Sequence, residues 1–219
     1  MKKYELTAEF IEQWGKKLFR IKALISFGSV EAGELGGYVE KEDNLAQDGD
    51  AWVCDDARVY GNARVYGNAR VCDDARVYGN AEVYGNAEVY GNAEVCDDAW
   101  VCGNARVHGN AWVCGNARVY GNARVYGNAE VCGNADYLLI GRIGSRFSFT
   151  TFFKNKDKGI TVSCGCFLGT IAEFRAKVTD THGNNKHAKM YNLAADMAEL
   201  QILGEEHFDK LNTNKSEPF

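Results

Sequence analysis

Four histidines are the residues of this chain best suited to proton transfer near neutral pH, His108, His182, His187 and His207, because an imidazole titrates there and can act as a general base. His108 alone lies inside the dominant sequence pattern, in a slot that neighbouring phrases fill with Tyr. No loop interrupts the pattern to build a pocket around it, so a surface role is expected and no catalytic residue is assigned. Two thiols at Cys164-x-Cys166 are the next candidate. Their spacing is not that of a zinc knuckle, and no second Cys or His pair stands nearby in sequence. A buried or half-buried strand over Gly159 to Phe167 is expected there, and neither a metal nor a cofactor.

The pattern itself is a six-residue phrase, Ala-x-Val-x-(Gly/Asp)-(Asn/Asp), repeated fourteen times without a break from Ala51 to Asn134. A fixed short period signals a stacked solenoid. Ala and Val stand two apart while the second and fourth positions vary among Arg, Glu, Trp, Tyr, Cys and His, the period of a strand with one buried face. Ala and Val therefore point inward and the variable pair outward. Gly-Asn or Asp-Asp closes each phrase with a corner.

The phrase resembles the hexapeptide-repeat proteins, in which an aliphatic residue is followed four positions later by a small one, as in Val59-x-x-x-Ala63 and Val77-x-x-x-Ala81. That resemblance implies a mainly β fold, a left-handed parallel β-helix of triangular section with three hexads per coil, and self-association as a trimer. With an 18-residue coil, three outward columns are readable. One carries Trp52/Cys54, Arg70/Cys72, Glu88/Tyr90, Arg106/His108 and Arg124/Tyr126. A second carries Arg58/Tyr60, Arg76/Tyr78, Glu94/Cys96, Trp112/Cys114 and Glu130/Cys132. The third carries Arg64/Tyr66, Glu82/Tyr84, Trp100/Cys102, Arg118/Tyr120 and Asp136/Leu138. Arg70, Glu88 and Arg106 form an expected charge ladder, as do Arg76 with Glu94 and Arg64 with Glu82. Asp55-Asp56 and Asp73-Asp74 stack at one edge, where four carboxylates could hold a hard cation, although Asp also suits a solvated turn.

Around the hexads, four segments are expected: an N-terminal β cap over 1–35, the β-helix over 36–146, a small α+β unit over 147–203 and a polar tail over 204–219. The cap reads as a hairpin with a Gly turn. Thr170-Ile171-Ala172-Glu173 is a capping box that opens a helix through about Thr181, stopped by Gly183. Met190, Leu193, Ala194, Met197, Leu200 and Ile202 give a second helical spacing from about Lys186. Gly33-Glu34-Leu35-Gly36-Gly37-Tyr38-Val39-Glu40, the hexads, and Val162-Ser163-Cys164-Gly165-Cys166-Phe167 with Thr181-His182-Gly183 together look like a family of bacteriophage and prophage proteins labelled only as hexapeptide-repeat or transferase proteins. That label rests on fold, and fold does not fix function.

A net charge of -5, from 25 basic and 30 acidic residues, gives no electrostatic case for duplex nucleic acid. No stretch reaches the apolar length of a membrane span, and the N-terminus lacks an apolar signal core. The expectation is thus a cytoplasmic protein with reduced cysteines, in a host bacterial cell as the phage resemblance implies. Hexapeptide acyltransferases, as the resemblance implies, place a catalytic His between subunits beside extruded loops. The hexapeptide carbonic anhydrases need three His for zinc, which the hexads lack. Tyr, Trp and Arg are the types that dominate binding hot spots. The functional expectation is a non-enzymatic binding protein, an inhibitor or sequestering factor acting on a host protein or defence complex. Trp100, Arg106, His108, Trp112 and Arg118 are its contact residues, and a nucleotide or single-stranded nucleic acid is a further partner class. An acyltransferase-like enzyme and a virion or assembly scaffold are the alternatives.

Overall fold

Each hexad of the computed structural model, which describes residues 2–206, contributes one short strand, from Trp52–Val53 to Glu130–Val131. His207 and most of the expected tail lie outside the described residues. The chain divides into two compact units, Met1–Asn128 and Ala129–Phe219.

In the first unit the strands stack in parallel with an offset of 18 residues, pairing Val53 with Val71, Val71 with Val89, Val89 with Val107 and Val107 with Val125. Backbone amides follow the same step, with Trp52 N–H donating to the Ala69 carbonyl at 3.0 Å and Arg70 N–H to Ala87 at 2.9 Å. Every hexad Ala and Val is at most 1 % exposed, so the period-two pattern identifies the inward positions without exception. Burying one Val side chain contributes about 1.5–3 kcal/mol, and the repetition makes this column the main source of cohesion. The result is a parallel β-solenoid with three sheets. Corner glycines take positive φ, and Asp55, Asp73 and Asp97 occupy the same slot at φ 54°, 59° and 58°, because Asp tolerates the left-handed region better than most residues.

The N-terminal cap is a hairpin of Tyr4–Gln13 and Lys16–Ala23. Its two-residue turn, Trp14-Gly15, has positive φ at both positions, the backbone twist that suits a tight hairpin. Leu35–Val39 pairs antiparallel with Lys16–Ala23 on one side and parallel with Arg58–Val59 on the other. Residues from Gly36 onward thus join the solenoid strands, and one continuous sheet links cap to solenoid. Gly36 permits the close approach, since a Cβ there would lie 2.5 Å from the Val53 carbonyl oxygen and 2.6 Å from the Trp52 ring.

The second unit is built on a four-stranded antiparallel sheet, Tyr137–Ile143, Ser148–Lys154, Ile160–Cys164 and Phe167–Thr170. Two helices follow, α1 (Ile171–His182) and α2 (Lys186–Leu203). Thr170 and Glu173 close the expected capping box, and Gly183 ends α1 with its N–H on the Thr179 carbonyl. Phe152, Val162, Phe174, Val178, Tyr191, Ala194, Ala195 and Ala198 form the core between sheet and helices. Arg175 clamps α1 to α2 through Asp196 and Glu199, both at 2.7 Å. Tyr137–Ile143, expected as a ragged further coil, instead pairs antiparallel with Ser148–Lys154, so the expected boundary at 146 moves towards the hexads. Asp136 accordingly leaves the third column, because it sits in a short 3-10 turn. Among the described residues no helix is long and apolar enough to cross a membrane.

Candidate functional site

Some outward slots of the first coils are covered rather than free. Trp52, expected to point into solvent, is fully buried, because the cap folds over it and sets Tyr4 and Phe27 edge-on to its ring at 6.3 and 5.4 Å. Tyr60 is likewise covered, in a cluster with Leu18 and Tyr38. Among the described residues, several outward slots of the later hexads are exposed. Residues 99–128 contain Arg106, Arg118, Arg124 and His108 and not one Asp or Glu. Arg106, His108, Trp112, Arg118, Tyr120 and Arg124 are all exposed there. The solenoid thus carries a basic and aromatic band on an otherwise acidic chain.

The five expected contact residues occupy consecutive hexads and so fall on all three sheets. Arg106 and His108 share the strand Arg106–Gly109. The His108 ring lies 4.3 Å from that of Tyr90 and meets Tyr126 edge-on at 5.8 Å, while Arg106 pairs with Glu88 at 3.2 Å. Burial raises the Tyr90 hydroxyl pKa, with the Tyr126 hydroxyl a further contributor. Trp100 and Arg118 come together on another sheet, the guanidinium 4.4 Å from the indole centroid, which is cation–π geometry. Tyr84 meets Trp100 edge-on and stacks on Tyr66 at 4.9 Å. Trp112 stands apart from the other four on the remaining sheet, donating its indole N–H to the Cys96 sulfur at 3.1 Å.

Of the expected charge ladders, Arg76–Glu94 forms at 2.7 Å and Glu88–Arg106 forms as above. Glu82 instead accepts from the Tyr66 hydroxyl at 2.6 Å, and Arg64 lies over the Tyr66 ring. Arg70 turns towards Ser29 of the cap. Side chains one slot apart within a hexad compete with those one coil apart, and the sequence columns alone do not decide between them.

The Asp corners are satisfied by backbone. Asp55 accepts from Asp73 N–H at 3.3 Å, Asp73 from Gly91 N–H at 2.8 Å and Asp97 from Gly115 N–H at 3.1 Å. Each carboxylate caps the corner one coil further on. Cys54, Asp55 and Cys72 cluster within metal-ligand reach, but the two sulfurs are joined as a disulfide, which leaves no thiolate for a metal. That bond overturns the expectation of reduced thiols at this pair, since the 18-residue coil brings the two Cα atoms to 4.6 Å. Cys96, Cys102, Cys164 and Cys166 are free.

In the second unit the expected strand breaks after Cys164, where Gly165 takes a φ of 61° and leaves Cys166 exposed in a turn. Thr150 donates its hydroxyl to the Cys164 sulfur at 3.2 Å. Burial, helped by the neighbouring Cys164, pushes the Tyr191 hydroxyl up to about 12. His182 stacks on Tyr191 at 5.7 Å and lies 5.8 Å from His187. This grouping was legible only in part: His187 and Tyr191 are one helical turn apart, but nothing local brings His182 across the Gly183 break onto them.

A family model described as YdcK Beta solenoid repeat matches residues 51–67, 57–73, 69–85, 99–115 and 117–133. All five windows lie within the hexads, and the chain is a repeat β-helix protein by sequence similarity as well as by structure. No curated protein matches the chain.

Proposed function

We propose that the protein is a non-enzymatic binding protein that engages an acidic partner through the band at residues 99–128. The observation that supports this reading is the concentration of Arg106, His108, Trp112 and Arg118 where 30 consecutive residues carry no acid and where these four side chains are exposed. Large aromatics and Arg dominate binding energies because they bring much contact area at low entropic cost, and a basic patch steers an anionic partner to them. His108 belongs to the aromatic column and contributes a contact. The resemblance to phage and prophage proteins suggests a host protein or defence complex as the partner and a cytoplasmic setting, with the protein acting as an inhibitor or sequestering factor.

Affinity capture from a bacterial host lysate, repeated with Arg106→Glu and Arg118→Glu together, tests the reading. The parent retains a specific partner and the double variant loses it. Equal capture by both, or acyl-donor turnover by the parent, would count against a binding role for the band.

A further inference from the structure

We propose that α2 is a self-association surface, pairing antiparallel with α2 of a second copy of this chain. One face of α2 is spent on the core through Tyr191, Ala194, Ala195 and Ala198. A different face carries Met190, Leu193, Met197 and Leu200, exposed by 39, 63, 57 and 45 %. Their spacing of three, four and three residues is that of a coiled-coil seam, and at 100° per residue the four side chains fall within a narrow arc. A helix apolar on two sides has an unburied side to cover.

Charge chooses the occupant. Lys186 and Lys189 stand in the first turn of α2, and Glu205 and Glu206 just beyond its last residue, all four exposed. This is the reverse of what an isolated helix favours, since its N-terminal end is partially positive and its C-terminal end partially negative. An antiparallel second copy answers both mismatches. With Met190 opposite the partner's Leu200 and Leu193 opposite the partner's Met197, Lys186 comes beside the partner's Glu205 and Glu206. The two-fold axis repeats that contact at the other end. A helix of 18 residues spans about 27 Å, so this seam is a small interface and its association is concentration-dependent. It involves no residue of the basic band and stands or falls independently of it.

Sedimentation velocity of the full chain across micromolar concentrations is the test. The parent forms a dimer, and Leu193→Asp combined with Met197→Asp yields a monomer of unchanged helix content. A charge exchange keeps the test decisive should that variant misfold. Lys186→Glu with Lys189→Glu in one chain, and Glu205→Lys with Glu206→Lys in another, are each monomeric alone and form a mixed dimer when combined. A monomeric parent, an oligomer untouched by the seam substitutions, or charge variants that do not recover on mixing would each overturn the proposal.

Discussion

The imidazole of His108 lies 4.3 Å from the ring of Tyr90, its neighbour one coil away, and this contact bears on what His108 can do. A ring tilted against Tyr90 and met edge-on by Tyr126 is held by aromatic packing, as a contact residue would be. His108→Ala is expected to weaken partner binding only modestly. An acyl-transfer mechanism using it as general base would instead lose roughly 10²- to 10⁴-fold in rate. Partner affinity and acyl-donor turnover measured on the same variant separate the two, and turnover in the parent that vanishes with His108 would sink the binding reading.

Trp112 is the sharper probe of the band. Trp112 is 37 % exposed, and its indole N–H is anchored on the Cys96 sulfur. Trp112→Ala should cost ~2 kcal/mol or more in binding if the residue is a hot spot, with the melting transition nearly unchanged. Titration calorimetry against the captured partner checks the first, and circular dichroism the second. Parent-like affinity would remove Trp112 from the interface.

The hexads were legible because one rule repeats. Ala and Val at period two fix the inward face, and the 18-residue step then fixes which residues are neighbours, down to Trp100 beneath Arg118. Burial of the outward face was not legible. Trp52 and Tyr60 occupy the same slots as the exposed Trp112 and Tyr120, and only the path of residues 1–39 separates their fates. Nor does the period say where the coils stop: Tyr137–Ile143 has strand-forming residues, but the absence of Ala and Val at the fixed interval leaves it to a different sheet.

The corners offer a backbone test. Asp73 sits at φ 59° and its carboxylate accepts the Gly91 N–H at 2.8 Å. Asp73→Gly loses the hydrogen bond but relieves the left-handed conformation, whereas Asp73→Ala loses the bond and keeps a Cβ there. A side chain in that region costs about 1–2 kcal/mol, so the Ala variant should be the less stable by ~1 kcal/mol in urea titration. Equal stabilities would mean that the corner relaxes when the cap is lost.

Val89 pairs with Val71 on one side and Val107 on the other at the middle of the solenoid and is fully buried. Val89→Asp puts a carboxylate among Ala and Val side chains that offer it no hydrogen bond, at a cost of several kcal/mol. The variant should melt far below the parent or fail to fold. A parent-like melt would contradict the assignment of inside and outside.

Lys3 supplies a pH test of the cap. Its ammonium is buried and donates to the carbonyls of Asp48, Gly49 and Ala51 at 3.3, 3.3 and 3.0 Å. Burial lowers its pKa from 10.5 to about 8, with Asp48 and Asp50 opposing the shift. Below pH 8 the lysine is charged in both folded and unfolded chains, so it adds no pH dependence while the folded state bears the cost of burying the charge. Between 8 and 10.5 the unfolded chain holds the proton more tightly, and stability rises with pH. The full rise amounts to about 3 kcal/mol from the shift. Tyr4 pulls the other way at higher pH, because burial raises its hydroxyl above the ordinary 10.0 and its contribution is lost as pH climbs past that value. The informative comparison is therefore the slope of unfolding free energy between pH 8 and 10 in the parent and in Lys3→Met. The parent should gain stability relative to the variant across that interval, and parallel profiles would show that Lys3 does not titrate there.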